Sequence, residues 1–297
     1  MKHGIYIISE SQVEQFENDW LGGSNIDIIT TTYTSGHHDV EYITWEPGVT
    51  GQEKRDSLER TFGDTSRQLM TIYHFAGNES GDYSSAANGS LDAKYREFGS
   101  QLVSLGMEDT IIVGSHEFNL GWSNRYPNDP ANYASGFARM VREMMSVNGA
   151  NFNFVYAPGG NRLGVTEEAW PVDAPEWNSD LPTPIVAPTL YDTSPDYPDD
   201  IENMSQSEQE QMWESVWTGW HIDILEMWKS FADRVGADIA FREWGVATPD
   251  FRNASGGDNP YFIKKMFDYM SNQGFLFRHI GTKRHGALEL AGIRYIR

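Results

Sequence analysis

Short apolar runs alternate with longer amphipathic stretches along the chain, and this alternation predicts strands and helices in turn. The apolar runs predict eight strands: Gly4–Ser9, Ile26–Tyr33, Leu69–Phe75, Thr110–His116, Phe152–Ala157, Ile185–Leu190, Asp238–Arg242 and Phe275–Ile280. The amphipathic stretches predict helices over Ser11–Leu21, Glu53–Asp64, Asp92–Leu105, Asn132–Val147, Ser205–Val235 and Pro260–Asn272.

This βα order predicts the fold class. Eight strands within 297 residues favour a single α/β domain over residues 1–297, folded as a (β/α)8 TIM barrel. The strands are nearly continuous apolar runs, as expected for parallel strands buried on both faces. The stretch Leu163–Pro184 is rich in proline and has no helical period, so we expect an irregular fifth crossover. An open doubly wound sheet is the alternative, but no Gly-x-Gly-x-x-Gly pattern follows the first strand.

Composition excludes several classes of protein. The chain has no cysteine, so a disulfide framework and a thiolate metal cluster are excluded. Its 22 basic against 43 acidic residues, a net charge of −21, argue against a nucleic-acid partner, which needs a basic face. No apolar run is long enough to predict a membrane span. Seven of the basic residues are lysine, and this acidic, lysine-poor surface suggests a halophilic source, with an ordinary acidic protein as the alternative.

The first residues give little indication of the compartment. Met1–Ile8 has one basic residue and no small-residue cleavage site, so we interpret it as a strand rather than a signal peptide. We therefore expect a cytoplasmic protein, or one externalised by assembly, for example in a virion. The oligomeric state stays open.

Candidate chemistry lies where the predicted strands end, because a barrel of this kind carries its active site at the carboxyl ends of its strands. Polar and aromatic residues stand at five such ends: His74; His116, Glu117 and Asn119; Tyr156; Tyr191 and Asp192; and Arg242, Glu243 and Trp244. Burying such groups unpaired is costly, so we expect them to line a cleft.

Two glutamates at these ends are singled out by position. Glu117 and Glu243 each directly follow an apolar strand, and strands four and seven face each other across a barrel mouth. A carboxyl pair of this kind cleaves glycosidic bonds: one donates a proton to the leaving oxygen, and the other attacks the anomeric carbon. Arg242 or Tyr191 would keep the attacking carboxylate ionised. The alternative is a pair of strand-end glutamates in salt bridges.

These residues also carry a resemblance to a known family. His116-Glu117-Phe118-Asn119 with Trp122 resembles the acid/base segment of glycoside hydrolase family 26, a β-mannanase-like family in the retaining clan A of barrel glycanases. The stretch 132–154 resembles the next βα unit. Glu243-Trp244-Gly245, followed by 256–261, resembles the nucleophile strand and the helix after it. The similarity covers residues 70–275.

The resemblance implies roles for individual residues. Glu117 matches the general acid/base, Glu243 the nucleophile, and Tyr191 the tyrosine that hydrogen-bonds the nucleophile. His116 matches a substrate-contacting histidine, and Trp122 would stack on a sugar ring. The remaining predicted substrate contacts are Trp244, Arg242 and Tyr156, with Asn119, His74 and Asp192 as further candidates. The implied partner is a β-linked oligo- or polysaccharide, and we expect neither a metal nor a cofactor.

The sequence departs from the family at three positions. Val113 stands where relatives often have an arginine, Leu120 where they have a glycine, and Ser123 where mannan-cleaving members have a second tryptophan. These changes bear on the substrate more than on the chemistry, since both carboxylates remain. A non-catalytic carbohydrate-binding structural barrel is the main alternative, and a polysaccharide lyase is a weaker one.

Other tryptophans divide into two groups. Trp45 and Trp170, in predicted loops, are further candidates for sugar subsites. The tryptophans of the predicted long helix are spaced to lie near one face and are interpreted as packing residues: Trp213, Trp217, Trp220 and Trp228.

Overall fold

The computed structural model describes residues 2–6, 28–32, 68–76, 81–247, 254–275 and 277–280. The strands within these ranges are β1 Lys2–Tyr6, β2 Ile28–Thr32, β3 Gln68–Tyr73, β4 Ile111–His116, β5 Asn153–Ala157, β6 Ile185–Val186, β7 Thr189–Asp192, β8 Phe241–Val246 and β9 Phe277–Ile280. They form one parallel sheet in the order β6-β5-β4-β3-β2-β1-β9-β8-β7. The predicted α/β class is confirmed.

Helices connect these strands. They are α1 Ser84–Ala87, α2 Asp92–Ser104, α3 Pro130–Met145, α4 Gln206–Val216, α5 Ile222–Val235 and α6 Pro260–Asn272. Local sequence explains where they start: the Asp129 side chain caps α3, and Ser205 forms a capping box with Glu208 at α4. The predicted helices Ser11–Leu21 and Glu53–Asp64 lie outside the described residues.

The predicted sixth strand is divided in two. Pro188 has no N–H group to donate, and it separates β6 from β7. Pairing nevertheless continues on both sides, since Thr189 N donates to Pro158 O at 3.0 Å and Arg242 N donates to Pro188 O at 3.2 Å. The two ends of the sheet order, β6 and β7, are therefore consecutive parts of one stretch of chain.

Both faces of the sheet are buried. The inner face carries a cluster of small and branched side chains: Met70, Ile72, Ile111, Val113, Val155, Ala157, Ile185, Ala187 and Ala240. The outer face packs against the helices through a larger, aromatic-rich cluster. Within each strand the two sets alternate, because successive side chains of a strand point to opposite faces. This alternation decides which strand-end residues reach a common site.

The long predicted helix Ser205–Val235 contains an interruption. A π-helical turn, Trp217–His221, lies between α4 and α5. The interpretation of its tryptophans as packing residues is confirmed for Trp213, Trp217 and Trp228, which are buried. Between β5 and β6 the chain forms two single-turn 3-10 helices, Gly164–Thr166 and Pro171–Asp173.

Candidate active site

β4 carries an extra residue just before the first predicted carboxylate. From Val113 to His116 it advances three positions while β5 advances two, from Val155 to Ala157, which defines a β-bulge. Val113 belongs to the inner cluster, and regular alternation from it would turn His116 toward the helices. The bulge turns His116 inward instead, where its Nε2 atom lies 3.7 Å from Glu117 Oε2.

Glu117 itself leaves the strand in a strained backbone conformation. Its φ is 52°, and in the described part of the chain no other non-glycine residue has a positive φ. This left-handed conformation is costly for a residue with a Cβ atom and is concentrated at functional sites. It allows Glu117 and His116 to share the inner side, while Phe118 stacks on Tyr133 on the outer side with 4.3 Å between ring centroids.

The loop after β5 leaves the space that Glu117 occupies. A Cβ atom at Gly159 would lie 2.8 Å from Glu117 Cγ, closer than real Cβ contacts allow, and 3.0 Å from Leu120 Cδ1, which is tight. The Asn119 amide holds this loop: Oδ1 accepts from Gly159 N at 2.7 Å, and Nδ2 donates to the carbonyls of Gly159 and Arg162 at 3.1 and 2.9 Å. Asn119, a predicted substrate contact, is thus engaged in fixing the wall beside Glu117.

A second bulge lies in β8, at the other predicted carboxylate. β8 advances three positions from Phe241 to Trp244 while β9 advances two. Phe241 and Trp244 are both fully buried in the outer cluster. The two residues between them, Arg242 and Glu243, both face inward, and Arg242 Nη1 donates a hydrogen bond to Glu243 Oε2. Glu243 lies within β8 rather than after its end, because the strand continues to Val246.

Two donors hold the Glu243 carboxylate. Arg242 binds Oε2, and the Tyr191 hydroxyl donates to Oε1. Burial raises the pKa of Tyr191 well above its usual value, and the negative charge of Glu243 raises it further. Tyr191 therefore keeps its proton and remains a donor. Charge-assisted hydrogen bonds of this kind stabilise the ionised form of Glu243.

The two glutamates converge on His116. Its Nε2 atom lies 3.7 Å from Glu117 Oε2 and 3.6 Å from Glu243 Oε2, so these two oxygens are at most 7.3 Å apart. Both carboxyl side chains are mostly buried, with 12% and 10% of their surface exposed. The site thus holds one carboxylate between two donors and a second carboxyl group across from it.

His74 joins the same inner face, since it follows Met70 and Ile72 at the period of two. Burial, reinforced by the charges of Arg125 and Arg242, lowers the pKa of its imidazole to about 3. The ring is therefore neutral at physiological pH and is available for hydrogen bonding.

Three predicted sugar contacts lie away from the carboxyl groups. Tyr156 is fully buried on the outer face, and its hydroxyl donates to Thr166 O at 2.7 Å. Trp170, predicted in a loop subsite, is 2% exposed and packs edge-on against Tyr156 at 5.1 Å. Trp244 is also fully buried, against Phe267 of α6. Strand alternation explains why Tyr156 faces outward, because its neighbours Val155 and Ala157 lie on the inner face.

Trp122, unlike these three buried aromatic residues, is exposed to solvent. It lies in the loop between β4 and α3, and 69% of its surface is exposed. An exposed indole on the loop that follows Glu117 is free to stack on a ligand. Trp45 lies outside the described residues.

Sequence reasoning missed two kinds of site residue. Gly159 was detectable in part, because the run Pro158-Gly159-Gly160 directly after a strand marks a tight turn at the strand end. Arg125, whose charge reaches His74, carries no local signal, since it comes from a turn-rich loop. Among the residues that the structure describes, no group of three or more His, Asp or Glu is arranged to hold a metal ion.

None of the described helices combines the length and hydropathy that crossing a bilayer requires.

Comparisons with known proteins identify the fold. No family model matches the chain, and no curated protein matches it significantly. Among solved structures, a double mutant of the Cellulomonas fimi endo-β-1,4-mannanase aligns with a TM-score of 0.60 and 14% identity, covering 96% of this chain and 66% of that one. A GH26 β-mannanase from Bacteroides ovatus aligns with a TM-score of 0.57 and 10% identity, covering 94% of this chain and 80% of that one. Thermotoga maritima Cel5A in complex with mannotriose aligns with a TM-score of 0.55 and 10% identity, covering 95% of this chain and 90% of that one.

These alignments show a shared fold. The chain spans just under two thirds of the Cellulomonas fimi enzyme and more of the other two. The predicted distant resemblance to glycoside hydrolase family 26 is confirmed, and it extends to related clan A glycanases. The neighbours are (β/α)8 glycosidases, and the parallel strands and connecting helices of this chain are consistent with their fold.

Proposed function

We propose that this protein is a retaining glycoside hydrolase that cleaves β-linked oligo- or polysaccharides with Glu117 and Glu243. The observation that carries the proposal is the convergence of both carboxyl groups on His116 Nε2, at 3.7 and 3.6 Å. The resulting upper limit of 7.3 Å between the two oxygens includes the separation of about 5–5.5 Å that a retaining enzyme uses. The fold shared with mannanases supports the same chemistry.

The contacts of the two glutamates support different roles. Glu243 accepts hydrogen bonds from Tyr191 and Arg242, which favours its ionised form and suits a nucleophile. Glu117 would donate its proton to the leaving glycosidic oxygen while Glu243 Oε attacks the anomeric carbon. The bond to the leaving sugar breaks and a glycosyl–Glu243 ester forms. Glu117 then takes a proton from water, which attacks the anomeric carbon and restores Glu243 as the carboxylate.

The substrate follows from what surrounds the carboxyl groups. Neutral His74 can hydrogen-bond sugar hydroxyls, as can the His116 side chain beside the two carboxyl groups, and exposed Trp122 offers a flat apolar face for a pyranose ring. Glycoside hydrolysis of this kind requires neither a metal nor a cofactor. Val113, Leu120 and Ser123 replace family residues near the acid, so we propose a β-glycan substrate without assigning its sugar.

The proposal includes the whole chain as one catalytic domain, residues 1–297. We propose a closed (β/α)8 barrel in which the stretch 185–192 joins β5 to β8, with an irregular fifth crossover. The hydrogen bonds around Pro188 and the two 3-10 turns between β5 and β6 support this arrangement.

Variants of the two glutamates test the chemistry. Glu243→Ala should abolish the release of new reducing ends from every substrate in a panel of soluble β-glycans. Glu117→Ala should retain kcat/KM on an aryl glycoside with a good leaving group, which needs no protonation, and should lose activity on the natural linkage. Glu167→Ala is the control, because Glu167 is an exposed carboxylate paired with Arg234.

A covalent trap tests the retaining mechanism. An activated 2-deoxy-2-fluoro glycoside should add one glycosyl mass to the peptide that contains Glu243. Unchanged turnover in both glutamate variants would overturn the assignment. Oligosaccharide binding by calorimetry without product release would favour the non-catalytic sugar-binding barrel, and an unsaturated product that absorbs in the ultraviolet would indicate a lyase.

A further inference from the structure

A buried polar network lies directly behind the Tyr191–Glu243 contact. Its centre is Asp192, the last residue of β7 and fully buried. Tyr191 and Asp192 are strand neighbours, so their side chains point to opposite faces. Tyr191 points inward to Glu243, and Asp192 points outward to the helices. Asp192 therefore faces away from the cleft.

The Asp192 carboxyl accepts hydrogen bonds from three elements. Oδ1 accepts from Tyr197 Oη at 2.7 Å and contacts His221 Nε2 at 2.9 Å, and Oδ2 accepts from Asn259 Nδ2 at 2.7 Å. Tyr197 lies in the loop after β7, His221 in the π-helical turn, and Asn259 caps α6. The Asp192 side chain is thus held by polar groups from three different parts of the chain.

Two local features of the backbone bring groups close to Asp192: the π-helical turn and a glycine. His221 ends the π-helical turn, and single π turns of this kind are frequent at functional sites. Its ring is 1% exposed, and among the described residues Nδ1 has no hydrogen-bond partner, so the contact of Nε2 with Asp192 is the polar contact that holds the ring. Gly256 adjoins the carboxylate so closely that a Cβ atom there would lie 2.0 Å from Asp192 Oδ2.

Stability alone does not account for these groups. Replacing a buried charged network with apolar residues is often neutral or stabilising. The network lies where β7 ends. Asp192 is the last residue paired with β8, and the next residue leaves the strand in a turn in which Thr193 N donates a hydrogen bond to Tyr191 O at 2.8 Å. The strand end that carries Tyr191 therefore depends on what anchors Asp192.

We propose that His221 is a positioning residue for the Glu243 nucleophile, acting through Asp192 to hold the end of β7 and thereby aim the Tyr191 hydroxyl at Glu243. The inference rests on the proposed function and extends it to residues that never touch the substrate. His221 acts through Tyr191, so removing either residue removes the same contribution.

A double-mutant cycle tests this dependence with 4-nitrophenyl β-mannobioside and β-cellobioside as probes. His221→Phe keeps an aromatic ring in the aromatic surroundings of Trp217 and Phe262 but removes the donor. It should lower kcat/KM by about 10-fold to 100-fold, because a misplacement of roughly 1 Å can cost on the order of 100-fold. In a Tyr191→Phe background the same change should cost less than about twofold, because the two residues act as one unit.

Three further variants separate positioning from general stability. His221→Gln, which keeps a nitrogen donor, should recover most of the activity. Tyr197→Phe removes another donor to Asp192 and should reproduce the loss if His221→Phe does not fold. Tyr269→Phe is the matched control: it also deletes one hydroxyl hydrogen bond, to Glu226 at 3.0 Å, but at the other end of α6 from Asn259, and should leave kcat/KM unchanged.

The outcomes distinguish this inference from the proposed function. Wild-type hydrolysis that depends on Glu243, combined with an equal factor for His221→Phe in both backgrounds, would overturn the positioning role alone. An unchanged kcat/KM for His221→Phe and Tyr197→Phe would do the same. Absence of any Glu243-dependent hydrolysis across the glycan panel would overturn the proposed function and this inference with it.

Discussion

Gly159→Ala is the sharpest test of how the site is built. The added Cβ atom would lie 2.8 Å from Glu117 Cγ and 3.2 Å from Glu117 Cβ. An ordinary contact begins at 3.4 Å, so the Glu117 side chain would have to move by about 0.6 Å. The backbone gives little freedom for this, because Glu117 is already held at a φ of 52° and Asn119 fixes Gly159 through both its N–H and its carbonyl.

The displacement should affect one chemical role and spare the other. Overpacking should lower the free energy of unfolding by about 1–3 kcal/mol. On an unactivated β-glycan, kcat/KM should fall by at least about 10-fold, because the proton donor is misplaced. On a dinitrophenyl glycoside, whose leaving group needs no proton, kcat/KM should change by less than about twofold. Both values come from initial rates, with stability measured by thermal unfolding.

Gly121→Ala is the matched control, because it lies in the loop that follows Glu117 and a Cβ atom there meets nothing within 4 Å. It should leave stability and both rates unchanged. Equal losses of kcat/KM on the activated and the unactivated substrate after Gly159→Ala would refute the reasoning, since a misplaced acid cannot slow a reaction that needs none. No loss on either substrate would refute it as well.

Three further predictions concern other parts of the site and its support. His74 has its pKa lowered to about 3 by burial and two arginines, so on acidification the unfolded chain takes up its proton first, at about pH 6.5. Wild type should therefore lose stability relative to His74→Gln as the pH falls from 6.5 toward 3, by at most about 1.4 kcal/mol per pH unit in thermal or denaturant unfolding; parallel curves would contradict this. Trp122→Ala should raise KM for a polymeric glycan roughly threefold to tenfold without changing the melting temperature, because the indole is 69% exposed. Asp129→Ala removes the cap of α3 and should cost about 1 kcal/mol of stability with kcat/KM unchanged; a kinetic effect would contradict a purely structural cap.

The pattern of apolar runs was sufficient to predict the parallel α/β arrangement. Helix α6 has the predicted bounds, Pro260–Asn272, because proline at the start and an amphipathic period define it locally. The sixth strand was predicted as continuous, and only its pairing with two different neighbours reveals the division at Pro188. The π turn at Trp217–His221 left no signal either, since its sequence is compatible with a regular helix.

The candidate site was predicted in part. Glu117, Glu243 and Tyr191 were selected by their positions at strand ends, and the structure brings them together around His116. Tyr156 met the same criterion yet faces the helices, because position along a strand does not fix the face of the sheet. Applying the period of two would have placed it correctly.

The same period would have misplaced Glu243 and the histidine that lies between the two carboxyl groups. Counting from Val113 or Ala240 turns His116 and Glu243 toward the helices, and only the bulges in β4 and β8 reverse this. A bulge depends on how two strands pair, which a single strand's sequence does not encode. The site is therefore less predictable than the fold around it.

The two bulges make chain length, in addition to residue identity, a determinant of which side chains of β4 and β8 face the cleft. Deleting Arg242 would restore regular alternation in β8 with Glu243 still facing the cleft, but it would remove one of the two donors that hold the Glu243 carboxylate. Many substitutions nearby would leave the register unchanged. In evolution, such strands can diverge widely in sequence but resist insertions and deletions. In a library of variants, single-residue deletions within Ile111–His116 or Phe241–Val246 should therefore eliminate activity far more often than substitutions at the same positions.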